Sequence, residues 1–353
     1  LDKKLKINNK KLLVIFEFGI PPYRTFLLEY FYNLFNKVKF IHNEERFGNF
    51  TVAGAAKSPN FKIFKEISFT YVNIFDILKS DVIVTTFNIR KIHTWIFCFF
   101  FPNKKWIFWG KGLGQSNNFV VRFLRKILLK ISKGFVVYTK EGKDKLIALG
   151  YPSSKVSIAY NTLKIDNCEL TNDEPKYFLY VGRLQKRKEL EKLLYELQFI
   201  DTKFLIVGNG DLKDELLSLV NKYKIENKVD FLPGVFEEDE LKKLFNKAIA
   251  YISPGAVGLG VVHSFAYGVP VITSILNKNH GPEFSYLNDS NSFLYENDLS
   301  SQMKLALSDE KTRQAKKKEA FRFYSENLSY QNVINAFEYQ FNKLLNETDH
   351  TRP

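Results

Sequence analysis

Apolar residues fall along this chain in short blocks, with polar, periodic stretches between them. Residues 11–18 (KLLVIFEF) read as a strand buried on both faces, and the turn 19–23 (GIPPY) leads into a helix over 25–35. Further strands are expected at 38–42, 82–86, 105–109 and 134–138. Residues 140–149 then read as a helix stopped by Gly150, a C-terminal cap, and 156–159 as one more short strand. Continuous apolar strands alternating with helices are the pattern of a parallel sheet covered on both sides.

The stretch 164–176 (KIDNCELTNDEPK) is polar and without period, and it predicts a linker. After it the alternation resumes. Strands are expected at 177–181, 202–207, 229–231, 248–252 and 270–273, and helices at 190–197, 211–223, 237–246 and 260–267. Between 325 and 345, Val333, Ala336, Phe337, Phe341 and Leu344 recur at the spacing of an amphipathic helix. The expected organisation is a domain over 1–163, the linker 164–176, a second domain over 177–324, and a segment 325–353 that crosses back to the first domain. A chain of 353 residues is long enough for two such cores.

Composition narrows the class. With 45% hydrophobic and 25% charged residues, disorder and a disulfide scaffold are excluded as the main description. Two cysteines, Cys98 and Cys168, suit a reducing compartment. The densest apolar run, 95–101 (WIFCFFF), is far short of the roughly 18–20 residues of a membrane-crossing helix. No small-residue cleavage site follows the lysine-rich start, so a cytoplasmic location is expected. With Leu1 first and Met303 the only methionine, a native start upstream is also expected.

The net charge of +14 is unevenly placed. Residues 1–160 hold 27 Lys+Arg against 10 Asp+Glu, whereas 161–353 hold 25 against 28. A basic first half implies an anionic partner there. Residues 119–133 (FVVRFLRKILLKISK) set Arg122, Arg125, Lys126, Lys130 and Lys133 beside a broad apolar face. That fits a helix lying at anionic lipid headgroups, and it equally fits a core-packed helix with its basic side in water. Nucleic acid is not expected, because zinc-ligand spacing, an RNP-like motif and a basic heptad region are all lacking.

Chemistry concentrates at the carboxyl ends of the second-half strands, where open α/β sheets bind ligands. The segment 177–188 (YFLYVGRLQKRK) ends a strand at Gly182 and follows it with Arg183 and Lys188, a fork and a point charge suited to clamping a diphosphate. The segment 204–210 (FLIVGNG) ends in Gly208 and Gly210, which permit close backbone approach, but Lys213 stands where a dinucleotide fingerprint needs its third glycine. In 250–273 (AYISPGAVGLGVVHSFAYGVPVIT), a loop carrying Gly255, Val257, Gly258, Leu259 and Gly260 precedes a short helix, an arrangement suited to phosphate, with His263 about one turn further on. The segment 280–284 (HGPEF) places Glu283 on a loop over the same edge. The acidic run 237–240 opens a helix and reads as structural, and no metal cluster is recognised.

Taken in order, these four segments resemble the C-terminal nucleotide-sugar domain of GT-B glycosyltransferases, most of all the retaining family 4. The family's "VGRL" with a lysine five residues after the arginine is here Val181-Gly182-Arg183-Leu184 with Lys188; its "VGxG" is 207–210; and its "PS…EGFG…EA…A.GxPV" block is 253–271. The match covers about 177–300, while the first half matches in rhythm and in Asn161-Thr162. Three positions depart from the pattern. Gly255 and His263 stand where the family usually has two glutamates, and Glu189 stands where it has a glycine.

The resemblance implies an α/β GT-B fold, two Rossmann-like domains whose parallel sheets face a cleft. It implies a nucleotide-diphosphate sugar as donor, no cofactor, no metal and retention of configuration. Arg183, Lys188, Glu283 and His263 are the candidate catalytic residues. Gly182, Gly208, Gly210, Gly255, Val257, Gly258, Leu259 and Gly260 are the candidate donor contacts. Gly19, Tyr23, Arg24, Lys111 and Gly112 are the candidate acceptor contacts, at first-half strand ends. The basic half points to a saccharide or lipid-linked saccharide acceptor at the inner face of an anionic membrane. A nucleotide-sugar epimerase and a non-catalytic GT-B module binding anionic lipid or nucleic acid remain as alternatives.

Overall fold

The computed structural model of the chain describes residues 7–16, 20–43, 55–64, 66–114 and 118–346. It divides into two units. One comprises the chain up to Tyr160 together with Tyr330 onward, and the other is Asn161–Ser329.

The first unit runs β1 (Ile7–Ile15), α1 (Thr25–Leu34), β2 (Phe35–His42), β3 (Ala55–Lys57), β4 (Asn60–Phe64), β5 (Ile67–Thr70), α2 (Ile74–Lys79), β6 (Val82–Thr86), α3 (Ile92–Phe100), β7 (Lys105–Gly110), α4 (Phe119–Ile131), β8 (Gly134–Val137), α5 (Lys140–Ala148) and β9 (Val156–Ile158). Seven of its strands form a parallel sheet in the order β3-β2-β1-β6-β7-β8-β9. Side chains alternate across that sheet. Leu12, Val14, Val84 and Trp109 join one core, and Leu13, Ile15, Ile83 and Phe108 join the other. This two-sided burial explains why the strands read as unbroken apolar runs.

The second unit runs β10 (Tyr177–Val181), α6 (Leu190–Glu196), β11 (Lys203–Val207), α7 (Lys213–Tyr223), β12 (Val229–Leu232), α8 (Glu238–Asn246), β13 (Ala248–Ile252), α9 (Gly260–Ala266), β14 (Val271–Ser274), β15 (Ser292–Tyr295), α10 (Leu299–Ser308) and α11 (Glu310–Phe323). Its six strands are parallel, in the order β12-β11-β10-β13-β14-β15. The order reverses between β10 and β13, so the loops leaving those strands flank the crevice where such sheets bind ligands.

The last helix, α12 (Tyr330–Asn346), belongs to the first unit. Phe337 sets its ring edge-on to Trp109 and Phe31, at 5.1 and 5.2 Å between centroids, and Gln340 donates to Ser157 Oγ at 2.7 Å.

Some elements differ from expectation. The hairpin of β4 and β5 is antiparallel and stands outside the βα rhythm. Helix α11 carries one buried residue, Ala320, so it shows no apolar stripe; strong helix formers and the Asp309 cap on the Thr312 N–H sustain it. The segment from 325 is not one helix. Residues 324–328 form a wide turn, Ser329 is extended, and Thr162 Oγ1 donates to the freed Leu328 carbonyl at 2.5 Å. The stretch 164–176 lies inside the second unit: Ile165 is buried, the Cys168 thiol bonds the Tyr324 hydroxyl at 3.3 Å, and the Lys317 ammonium reaches the Thr171 carbonyl.

Candidate functional site

In the second unit, main-chain hydrogen bonds join the four motif segments in succession. The Gly182 N–H donates to the Val207 carbonyl, and the Leu184 N–H to the Asn209 carbonyl, each at 2.9 Å. The two chains run so close that a Cβ at Gly208 would overlap the Gly182 carbonyl. One turn later, the Gly255 N–H donates to the Lys188 carbonyl at 3.0 Å, and the Ala256 N–H to the Arg187 carbonyl at 2.8 Å. A Cβ at Gly255 would overlap that same backbone. The loop closes directly onto 187–188 and leaves no room for a side chain at 255, where the resembled family has a glutamate.

The fourth segment closes the set. The Val257 N–H donates to His280 Nδ1 at 3.2 Å, and the Gly281 N–H to the Val257 carbonyl at 3.1 Å. His280 Nε2 lies 2.8 Å from the Ser274 carbonyl, which only a protonated Nε2 can satisfy. The imidazole is therefore neutral with its proton on Nε2, stacked on Phe284 at 4.1 Å. Burial, and the charge of Lys188, hold its pKa below the usual value. Sequence reasoning gave His280 no role of its own. The only signal for it was its place in 280–284.

Lys188 is buried and donates from Nζ to the Ala256 carbonyl at 2.5 Å. Burial and the neighbouring Arg187 charge pull its pKa down to about 8, against the opposing charge of Glu283. Arg183 differs, because its side chain is exposed and its guanidinium makes no bond among the described residues. Glu283 is buried and accepts from Asn161 Nδ2 at 2.6 Å. Tyr286 in turn donates to the Asn161 carbonyl at 3.1 Å, so the Asn161 segment holds the carboxylate in place.

The expected phosphate loop is corrected in part. The N–H groups of Gly255, Ala256 and Val257 are spent within the protein, while those of Gly258, Leu259 and Gly260 have no partner among the described residues. The donors left for an anion are these three, at the start of α9. His263 points elsewhere. Its Nε2 lies 3.2 Å from Glu238 Oε2 and its ring stacks on Phe245. Burial alone would raise the Glu238 carboxyl, but the His263 contact and the Tyr267 hydroxyl, 2.5 Å from Oε1, hold it below the usual range. Glu238, expected to serve only the helix dipole, is thus the partner of His263. Among the described residues no group of three His, Cys, Asp or Glu could hold a metal ion.

In the first unit, Arg24 donates from Nη2 to the Tyr138 hydroxyl at 2.6 Å, and its guanidinium lies 4.4 Å over the Trp109 ring. It is held by aromatic rings at the carboxyl edge of the sheet, beside Tyr23. Lys111 is exposed after β7, and Gly112, at φ +82°, packs against the Gly142 carbonyl at the start of α5. Gly19 lies outside the described residues.

Two parallel-sheet α/β units, each with its loops at the carboxyl ends of the strands, define the class of doubly wound α/β proteins. The fold is GT-B, shared along nearly the whole length with solved structures. These include the lipopolysaccharide outer core galactosyltransferase WaaB (TM-score 0.63, 15% identity, 94% of this chain and 99% of that one) and Anabaena Alr3699/HepE in complex with UDP (TM-score 0.63, 14% identity, 96% and 100%). Residues 162–323 match the family model of glycosyl transferases group 1, as the sequence resemblance anticipated. The chain is 26% identical over 160 residues to the O-antigen chain mannosyltransferase RfbU of Salmonella typhimurium (43% of this chain, 45% of RfbU). It is 31% identical to the N-acetylgalactosamine-N,N'-diacetylbacillosaminyl-diphospho-undecaprenol 4-alpha-N-acetylgalactosaminyltransferase of Campylobacter jejuni (32% of this chain, 33% of that enzyme). The match spans about half the length, or less, of these curated relatives.

Proposed function

We propose that this protein is a glycosyltransferase that moves a sugar from a nucleotide-diphosphate sugar to a lipid-linked or surface-polysaccharide acceptor, without a metal and with retention of configuration, at the cytoplasmic face of a membrane. The observation that carries the donor half is the stitched set of loops at the β10/β13 reversal. Among the described residues it leaves one free guanidinium (Arg183), one buried ammonium (Lys188) and three free N–H groups (258–260) at a single sheet edge.

The chemistry follows from those groups. Transfer places growing negative charge on the departing diphosphate, and fixed donors stabilise charge that develops more than charge already spread. Arg183 offers a fork to the phosphate oxygens. Lys188 offers a proton-bearing cation whose lowered pKa lets it respond to the arriving charge. Glu283, held by Asn161, is proposed as the carboxylate that meets the donor sugar, since position 255 admits no side chain. His263 is assigned the nucleoside side of the loop, at one remove, through α9. The acceptor reading draws on the basic first half and on relatives whose names specify O-antigen or lipid-diphosphate substrates.

A thermal-shift panel of UDP, GDP, CDP, ADP, dTDP and CMP tests the donor reading. One nucleoside diphosphate at about 100 times its dissociation constant should add about 2.7 kcal/mol of stability. The shift should vanish in Arg183→Ala and Lys188→Ala. No shift with any nucleotide overturns the clamp. Binding without transfer or sugar release would favour the non-catalytic module, and an altered free sugar without acceptor would favour the epimerase.

A further inference from the structure

Among its described residues, the first unit holds a set of large apolar side chains in water. The apolar residues of α4 divide into two sets. Leu128 and Leu129 enter the core, whereas Phe119, Val120 and Phe123 remain 82%, 58% and 55% exposed. At 100° per residue the outward set shares its half of the helix with Arg122, Lys126 and Lys130. The sequence allowed a core-packed helix with a solvated basic side. The structure instead puts a second apolar set on the basic side.

The helix next to it repeats the pattern. Helix α3 packs against both α4 and β5, and its Phe99 and Phe100 are 75% and 68% exposed. The β4–β5 hairpin beyond it exposes Phe61, Ile63 and Phe64. Packing on α3 supports the hairpin from one side, but apolar side chains left together in water mark an interaction surface. From Val82 to Lys140 the sequence holds eleven Lys and Arg and no Asp or Glu. Whatever covers this face is therefore apolar inside and anionic at its surface.

A hollow opens beside α4. It has a volume of about 510 Å³, with Lys126, Lys130 and Lys155 at its rim and Leu129, Leu149 and Tyr151 among its lining. None of the three ammonium groups makes a hydrogen bond or ion pair among the described residues.

We infer that this face docks on an anionic lipid bilayer, with the aromatic side chains of α3, α4 and the β4–β5 hairpin entering the interface and the Lys126/Lys130/Lys155 hollow receiving lipid headgroup phosphates. The inference deepens the membrane part of the function proposed above and rests on it. Aromatic groups sit at the depth of the headgroups, and each lysine near an anionic surface multiplies partitioning by roughly fivefold.

Sedimentation with phosphatidylcholine vesicles, with and without phosphatidylglycerol, tests it on the full chain. The parent protein should pellet with the anionic vesicles and stay in solution with the neutral ones. The triple variant Lys126→Gln/Lys130→Gln/Lys155→Gln should partition roughly 100-fold more weakly. Phe119→Ser/Phe123→Ser should also lose binding while all the lysines remain. Circular dichroism and the nucleotide thermal shift, read on the same variants, should match the parent. Equal binding to both vesicle types, parent-like binding by either variant, or retention on nucleic acid in place of vesicles overturns the inference. A missing nucleotide shift with vesicle binding intact would instead strike the donor reading and leave the docking face standing.

Discussion

Lys188 is a cation that folding has moved out of water, and the consequence is a pH dependence with a defined sign. Its pKa falls from the ordinary lysine value to about 8. Between about pH 8 and the unfolded value the unfolded chain binds the proton that the folded chain has released, so this residue adds stability as pH rises through that window. Binding of a diphosphate runs the other way. In the proposed clamp the charged form is the one that binds, so nucleotide affinity should fall above about pH 8, with proton uptake on binding. Calorimetry in buffers of different ionisation enthalpy checks this, and an affinity flat from pH 7 to 9.5 in the parent would remove Lys188 from the clamp. Glu189, next in the chain, stands where the resembled family has glycine, and it sits at φ +53°. Left-handed backbone costs a side-chain-bearing residue about 1–2 kcal/mol. Here an Asn277 hydrogen bond at 2.9 Å and a Lys192 ion pair offset part of that cost. Glu189→Ala keeps the strain and loses the partners. It should therefore be less stable than Glu189→Gly by about 1 kcal/mol in urea denaturation; the opposite order would contradict the left-handed geometry.

At the scale of the element, the proposed donor loops are joined to one another by main-chain bonds as well as by their own turns. Restoring the family residue with Gly255→Glu should not restore a function. A Cβ there meets the 187–188 backbone, so the expected result is destabilisation by about 2–4 kcal/mol and loss of the nucleotide shift. A variant as stable as the parent would mean that the loop can open. His280 acts through the loop it holds. His280→Phe keeps an aromatic ring for Phe284 but removes the acceptor of the Val257 N–H. Hydrogen exchange at Val257 should speed up about tenfold, the equivalent of one hydrogen bond.

At the scale of the whole molecule, the last helix completes the first unit. Phe337 is fully buried against Trp109 and Phe31, in the same core as the strands of the first sheet. Phe337→Ala should destabilise that unit by about 3–5 kcal/mol while the second unit keeps its nucleotide shift. Loss of both signals in one transition would show that the two units unfold together.

The alternating strands and helices, the charge asymmetry and the four motif segments could all be read from the sequence, because apolar period, net charge and strand-ending glycines are local properties. Several other features could not. Helix α11 has no apolar stripe, the β4–β5 hairpin stands outside the βα rhythm, and the break at Ser329 depends on Thr162, far away in the chain. The candidate site divides in the same way. Arg183, Lys188 and the glycines are recognisable as types at a spacing, but which N–H groups remain free, which carboxylate His263 meets and which side chain holds Glu283 depend on partners distant in sequence. The amino-acid order alone determined the class of fold and the residue types on which the proposed ligand rests. Only the tertiary structure decided how each polar group is used, because a hydrogen bond made inside the protein is no longer available to a substrate.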